Sequence, residues 1–412
     1  MKVCRVVSRI FYMCVFSSLL VLVLNLSTQG RQIPEQGPRL QSSKPTLLDG
    51  FGFSVSGEGN QVLVGAPHAA GIRGQTGKAF LFERASGKLL REFALSSPLG
   101  NDLFGLSVSL APDYAIVGAP RGKGTSRRPV GSVSVFDRRT GTLRHVIVSP
   151  NQSASAFGHA VAARDLLVAV GDPGASTAKE FEVGEAYLID ATTGQIRRTL
   201  VAPRAENRQA DGFGHALTFL GSLLAVSAPL GGTGDHGQVF LFDRESGRLH
   251  RILESPDPQT KEYFGWALAS DAELLVVGAL GRGTTQPDAG VVYLYTNTGE
   301  FLHTLQAPEP GKGDRFGEAV ALLPAYVVVG APGHDAAGVD AGAIFVFDRK
   351  TGTLQAMIAN PSATTGVADL FGLSLSGAGD DVAVGSPYGD LDAMPDAGLV
   401  HQFRLPVSQE GM

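Results

Sequence analysis

Seven side chains change character at a place where everything around them repeats. Phe53, Leu106, His159, His215, Trp266, Glu318 and Leu373 each follow a Phe-Gly pair. Four in succession, His159, His215, Trp266 and Glu318, bring imidazole, indole and carboxylate groups. An indole face beside a carboxylate suits a cation, because the ring quadrupole and the negative charge both attract it. Together with Phe53 they form a candidate binding ring, provided the repeats converge on one axis. The simpler reading of the same positions is packing between repeats, with the polar tips reaching water.

A second candidate lies in loop charge. Arg73, Arg121, Lys123, Arg127 and Arg128 make the first two repeats basic, and Asp335, Asp340, Asp390, Asp392 and Asp396 make the last two acidic. If the chain closes into a ring, the two sectors meet, which would orient a charged protein partner. A solvated rim explains the same charges without a partner. Asp288, Asp340 and Asp396 each stand in Asp-Ala-Gly and are expected to cap a turn.

Asp49, Asp102, Asp211, Asp314 and Asp369 precede five of the Phe residues by two places. They belong to separate repeats, so Asx-type turn caps are expected and a shared metal is not. The chain has no Gly-x-Ser-x-Gly and no His-Glu-x-x-His, and its nine histidines are scattered. No catalytic residues, metal or cofactor are therefore expected.

The elements behind these positions are seven copies of one unit. Phe-Gly recurs at Phe51, Phe104, Phe157, Phe213, Phe264, Phe316 and Phe371, at intervals of 51 to 56 residues. Each copy continues into a second apolar run ending in a small-residue turn such as Gly65-Ala66-Pro67; the fifth, Gly278-Ala279-Leu280, lacks the proline. A third run follows, then a turn such as Asp137-Arg138-Arg139-Thr140-Gly141, and a fourth. Short alternating strands at this period predict an all-β fold, a seven-bladed β-propeller of four-stranded antiparallel blades.

Phe51, Phe53 and Val55 are expected on one face of the first strand, with Gly52 and Ser54 on the other. The seventh copy stops after its third strand. Pro38-Arg39-Leu40-Gln41 occupies the place of a fourth, so pairing of the two termini is expected to close the ring through Arg39 to Gln41 and to leave no open edge.

Residues 1–30 read as an export signal, with Lys2, Arg5 and Arg9 ahead of an apolar run from Ile10 to Leu26. Residues 31–48 read as a linker holding the closing strand, 49–403 as the propeller and 404–412 as a tail. The protein is expected to be secreted, periplasmic or at the cell surface, with membrane contact only if the leader stays as an anchor. Both cysteines, Cys4 and Cys14, lie in the leader, so a disulfide framework is not expected. The formal charge of −5 becomes −8 without the three basic leader residues. That excess of acid argues against nucleic acid as a partner.

Phe-Gly followed by Gly-Ala-Pro in sevenfold repetition resembles the FG-GAP repeats of integrin alpha subunits. The resemblance implies the same propeller and a binding role toward proteins. It also implies that the residues after Phe-Gly stand where integrins place a cage of aromatic side chains around a basic side chain of the partner subunit. The mixture His159, His215, Trp266 and Glu318 departs from an all-aromatic cage. The calcium loops of integrin blades, Asp-x-Asp-x-Asp-Gly between strands one and two, have no counterpart in stretches such as Ala163-Arg164-Asp165. No stalk or membrane segment follows the propeller, so a whole integrin subunit is not expected.

The expected function is a non-catalytic module for protein binding or adhesion, acting through the face with the loops between strands two and three. A carbohydrate-binding propeller is the alternative, although one Trp and eight Tyr make no repeating sugar platform. A quinone-dependent dehydrogenase is a third reading, suggested by Asp190-Ala191-Thr192-Thr193-Gly194-Gln195. It lacks the tryptophan motif that such blades repeat.

Overall fold

The computed structural model describes residues 34–71, 74–122, 124–125, 128–151, 155–176, 183–203, 211–363, 368–391 and 394–406. The expected export signal lies outside the described residues. Seven four-stranded antiparallel sheets follow one another along the chain. In the first blade the order from the axis outward is Ser54–Glu58, Gln61–Ala66, Lys78–Glu83 and Leu89–Phe93. The six later first strands, from Ser107–Leu110 to Ser374–Ala378, complete an inner ring in which each touches its neighbours.

Burial explains the strand sequences. The two middle strands of each blade are covered on both faces by adjoining blades, so they run as unbroken apolar stretches, Val62-Leu63-Val64 and Phe80-Leu81-Phe82 in the first. The outer strand has one covered face and shows alternating exposure. The core is correspondingly divided into layers between blades. One layer joins Leu63, Leu81 and Phe93 of the first blade to Phe104, Val117 and Phe136 of the second. Every Phe of the seven Phe-Gly pairs is fully buried in such a layer, which stabilises each joint by about 2 to 3 kcal/mol.

Phe-Gly itself is not part of the strand. The first strand begins at Ser54, and Phe51 and Gly52 form a tight turn before it. The seven glycines of these pairs have φ between 90° and 94°, a conformation that a side chain strongly disfavours. The expected shared face of Phe51, Phe53 and Val55 is therefore corrected. Phe51 drops fully into the layer between blades, whereas Phe53 stays half-buried.

The turn has a steric purpose. At Gly118, a Cβ would fall inside van der Waals contact of the Gly158 carbonyl oxygen, and the same holds for Gly65 against Gly105 and Gly385 against Gly52. The Phe-Gly turn of every blade but the fifth thus leans on the bare backbone of the preceding one. Hydroxyls stitch the same joints, since Ser54 Oγ donates to Gly105 O at 2.8 Å and Ser107 Oγ to Gly158 O at 2.8 Å.

The proline after Gly-Ala has less influence than its position suggests. The second strand of the fifth blade ends at Ala279, before Leu280, at the same place as its proline-bearing counterparts. The short turns between first and second strands leave two or three residues, as at Gly59-Asn60 and Pro112 to Asp113 after Ala111. A 12-residue calcium loop does not fit there.

The termini close the ring, with a shifted register. Glu35–Gln36 pairs with the last strand, Leu399–Arg404, through Glu35 opposite Arg404 and Gln36 opposite Phe403. Pro38 cannot donate to the ladder, and pairing resumes only at Leu40, whose N–H donates to Val400 O at 2.8 Å. The closing segment therefore starts four residues earlier than Arg39 to Gln41.

Candidate functional site

The antiparallel order of each blade places the Phe-Gly turns and the loops between strands two and three on one face of the ring, and the hairpin turns on the other. Parallel bridges such as Gly77 with Phe104 and Gly131 with Phe157 tie each loop to the next Phe-Gly turn. Because the chain enters the innermost strand directly after that turn, the residue following Phe-Gly stands at the mouth of the axis.

Four of the candidate residues are brought into one arc. The His159 and His215 rings lie 5.0 Å apart, His215 and Trp266 4.5 Å apart, and Trp266 Nε1 donates to Glu318 Oε1 at 3.3 Å. Phe53 does not join them. Leu106 separates it from His159 on one side, and Leu373 from Glu318 on the other.

The four side chains of the arc are half-buried, and their titration reflects this. Burial holds His159 below its ordinary pKa and pushes His215 down to about 3, with the neighbouring His159 adding to the fall. Both imidazoles are neutral at physiological pH. Burial raises the Glu318 carboxyl, while Arg315 and the Trp266 hydrogen bond oppose the rise.

Two neighbours of the arc are absent from the sequence-derived set. Arg315 Nη1 lies 3.6 Å from Glu318 Oε2, and the Tyr263 ring lies 6.1 Å from Trp266. Both stand just before Phe-Gly, at the position held by Gly50 and Gly212 in other blades. Tyr263 and Arg315 keep the left-handed backbone of those glycines, with φ of 56° and 53°. Aligning that column would have exposed two polar side chains where the turn asks for glycine. Glu318 thus already has a cation, supplied by its own blade.

The loop charges are only partly within view. Arg73, Lys123, Arg127 and Asp392 lie outside the described residues, as does the side chain of Arg128. Arg121 is exposed; burial holds the nearby His68 below its usual pKa, and Arg121 adds to the fall. Asp335 Oδ1 accepts the Asp340 N–H at 2.9 Å, and Asp390 Oδ1 accepts the Asp396 N–H at 3.0 Å. Part of the acidic sector therefore holds its own loops in shape.

In the Asp-Ala-Gly turns, the aspartates contribute backbone conformation. Asp288, Asp340 and Asp396 have φ of 52°, 49° and 50°, and Asp tolerates this region better than most residues. Their carbonyls accept N–H groups of Arg315, Leu370 and Leu48 in the next blade.

The acids before Phe-Gly act as loop caps. Asp102 accepts the N–H groups of Leu99 and Gly100, and Asp314 that of Gly311. The third and fifth blades lack an Asp at that place and substitute other buried acids. Asp172 accepts from Ala156 N at 2.7 Å, and Glu262 from Gln259 N at 2.9 Å. Among the described residues, no group of three or more His, Cys, Asp and Glu side chains is arranged to hold a metal ion.

On the hairpin side the axis widens into a cavity of about 340 Å³, ringed by Ser56, Ser109, Arg164, Thr218, Ser270 and Ser376. Several of these hydroxyls are committed to neighbouring blades. Ser56 Oγ accepts from Leu110 N, Ser109 Oγ from Ala163 N and Ser376 Oγ from Gly57 N. This ring fastens blades at the axis.

Fold and repeats together define a class, the FG-GAP propeller. The FG-GAP repeat family matches residues 96–136, 250–295 and 301–347. Human integrin alpha-IIb is 31% identical over 195 residues, covering 40% of this chain and 18% of the integrin. Mouse integrin alpha-IIb is 31% identical over 181 residues, covering 37% and 17%. The matched region is under a fifth of the length of these relatives. The seven-bladed propeller carries FG-GAP repeats and is similar to integrin alpha subunits over part of its length.

Proposed function

We propose that the chain is a non-catalytic protein-binding module of the adhesion type, acting outside the cytoplasm through the face that carries the Phe-Gly turns. The observation that carries this reading is the continuous arc His159, His215, Trp266 and Glu318 at the axial mouth. The hydrogen bond to Glu318 holds the indole in one orientation, so little ordering is left for a partner to impose. Two neutral imidazoles extend the aromatic surface without repelling a cation. A basic side chain of the partner would stack on Trp266 and compete with Arg315 for Glu318, whose contact at 3.6 Å is a loose one.

The double variant Trp266→Leu with Glu318→Leu tests this. Residues 34–412 are used to capture partners from native extracellular extract, with a glycan array alongside. Capture of a specific protein by the wild type, its loss in the variant and a nearly unchanged melting temperature are expected. Unchanged capture, or unfolding of the variant, would assign the arc to packing; saturable glycan binding would replace the protein-binding reading.

A further inference from the structure

Four arginines occupy one repeated position, directly after the acid that ends a third strand: Arg84, Arg138, Arg244 and Arg349. Three of them reach back to the preceding blade. Arg138 donates from Nε to Gln61 Oε1 at 2.6 Å and from Nη2 to Glu58 O at 2.6 Å, with Nη1 on Ala111 O of its own blade. Arg349 pairs with Asp271 at 2.7 Å and Glu273 at 3.3 Å. Arg244 stands 3.8 Å from Asp165. These arginines act as clips across the hairpin face.

Arg84 is the copy at the ring's seam, where the first blade meets the seventh. It is 5% exposed, and none of its three guanidinium nitrogens has a hydrogen-bond partner among the described residues. The missing partner can be identified. Gln61 opens the second strand of its blade, and Asp381 opens the corresponding strand of the seventh. Asp381 is taken by Arg404, which holds it through Nε to Oδ1 at 2.9 Å and Nη2 to Oδ2 at 3.2 Å. Arg404 belongs to the last strand of the seventh blade. The guanidinium of Arg84 is left against the bare backbone of Gly57, where a Cβ would collide with Nη2.

Beside it lies a cavity of about 330 Å³ walled by Glu35, Pro38, Asn60, Arg84, Asp381 and Arg404. A buried guanidinium keeps its charge, because its pKa stays far above neutrality, and an uncompensated buried charge is among the costliest groups a fold can hold. Burial lowers the Arg84 pKa, Asp381 opposes that and Arg404 adds to it. Its planar donor fork matches two oxygens of one carboxylate or phosphate. Glu35 is exposed and Asp381 is already neutralised by Arg404, so the wall does not repel a small anion.

We propose that the seam cavity on the hairpin face is an oxyanion site, in which Arg84 takes a carboxylate or phosphate group in place of the acid that its counterparts find in the preceding blade. Arg404 governs access by occupying Asp381. Without Arg404, Asp381 is free to turn to Arg84 and displace the ligand. The site lies at the opposite end of the ring from the axial arc and is independent of it.

The test titrates residues 34–412 with sodium phosphate and, separately, sodium acetate, against sodium chloride at matched ionic strength, by calorimetry and thermal melting. Phosphate and acetate together report a general oxyanion site; response to one alone names the group. The expected result is a saturable rise in melting temperature in the wild type and in Arg138→Met. Arg84→Met and Arg404→Gln should each weaken binding at least tenfold. Arg404 is largely exposed, so its variant carries the test if Arg84→Met fails to fold. The proposal is overturned if neither anion binds saturably, if Arg84→Met responds as the wild type does, or if Arg404→Gln binds as tightly as the wild type.

Discussion

At the joint between the second and third blades, Gly118 faces the Gly158 carbonyl with no room for a methyl group. One residue after Gly158, at His159, the chain accepts anything from Leu to Trp to Glu in the equivalent blades. The two positions are adjacent, yet one repeats almost without exception and the other varies freely. The difference is geometric. The joint is a backbone-to-backbone contact, whose spacing is set by the next blade. The following side chain stands at the axial mouth, where neighbouring blades meet through side chains such as His159, His215 and Trp266. At this joint, repetition marks the place where blades touch through backbone, and the variation one residue later marks a place where they touch only through side chains.

The largest effect should come from breaking the joint. Gly118→Ala places its Cβ against both Gly158 O and Ser107 Oγ; the hydroxyl can rotate away at the loss of its bond to Gly158 O, but the carbonyl cannot retreat without opening the ring. A loss of at least about 3 kcal/mol, or failure to fold, is expected in urea denaturation. Leu106→Ala, at the axial position of the same blade, should cost no more than about 1 kcal/mol because the side chain is only half-buried. Similar losses at the two sites would remove the distinction. The fourth blade marks the boundary of the rule. Ser227 replaces the joint glycine there, and its Oγ accepts the Ala216 N–H at 3.0 Å.

The next prediction sharpens the axial side by pH. His215 in the arc and His401 at the seam are both pushed down to about 3 by burial, from an ordinary 6.5. Between these values the unfolded chain binds protons that the folded chain does not, so stability falls as the pH falls. Each histidine contributes about 1.4 kcal/mol per pH unit. Asp172 acts in the opposite sense, because burial pushes it up to about 6 from 3.8. In that interval the folded chain holds a proton that the unfolded chain has lost, and stability falls as the pH rises. From pH 6 to 4 the histidines outweigh the aspartate. His215→Phe should leave the melting temperature near pH 7.5 almost unchanged and reduce the acid slope by about 1.4 kcal/mol per pH unit. An unaltered slope would show that His215 titrates normally and that the mouth is wet.

The same geometric distinction explains which features were legible in the sequence. Seven Phe-Gly turns, Gly-Ala-Pro strand ends and Asp-led hairpins arise from backbone constraints, so residue type alone reveals them, and the ring with its closing termini follows. The position of Phe-Gly in a turn was missed, because glycine at one end of an alternating run reads equally as strand or turn until its φ is known. The closing strand was placed late because Glu35–Gln36 carries no apolar pattern and its ladder is a backbone one. The arc His159 to Glu318 was legible as a column of varying chemistry. Its internal cation was not, since Arg315 belongs to the neighbouring column. Arg84 was hidden for a different reason. The sequence shows it as one of four similar arginines, and only the pairing of Asp381 with Arg404 sets it apart.

The smallest predicted effect uses one blade to correct another. Before four of the Phe-Gly pairs the chain turns through two left-handed residues separated by the capping acid. They are Leu48 and Gly50 in the first blade, Asn101 and Leu103 in the second, Lys261 and Tyr263 in the fifth, and Gly313 and Arg315 in the sixth. The sixth blade places glycine at the first of these positions, with φ of 79°, whereas the fifth forces Lys261 to φ of 58°. A left-handed side chain costs about 1 to 2 kcal/mol, and glycine returns about 0.5 to 1 of that as lost chain entropy. Lys261 is exposed and its N–H bond to Gly234 O uses only backbone, so little packing is lost on truncation. Lys261→Gly should therefore stabilise the fold by about 0.5 kcal/mol, seen as a small upward shift in the urea midpoint at unchanged slope. Destabilisation would mean that the lysine stem packs on the loop face, and would place this turn with the side-chain contacts of the axis instead of the backbone joints.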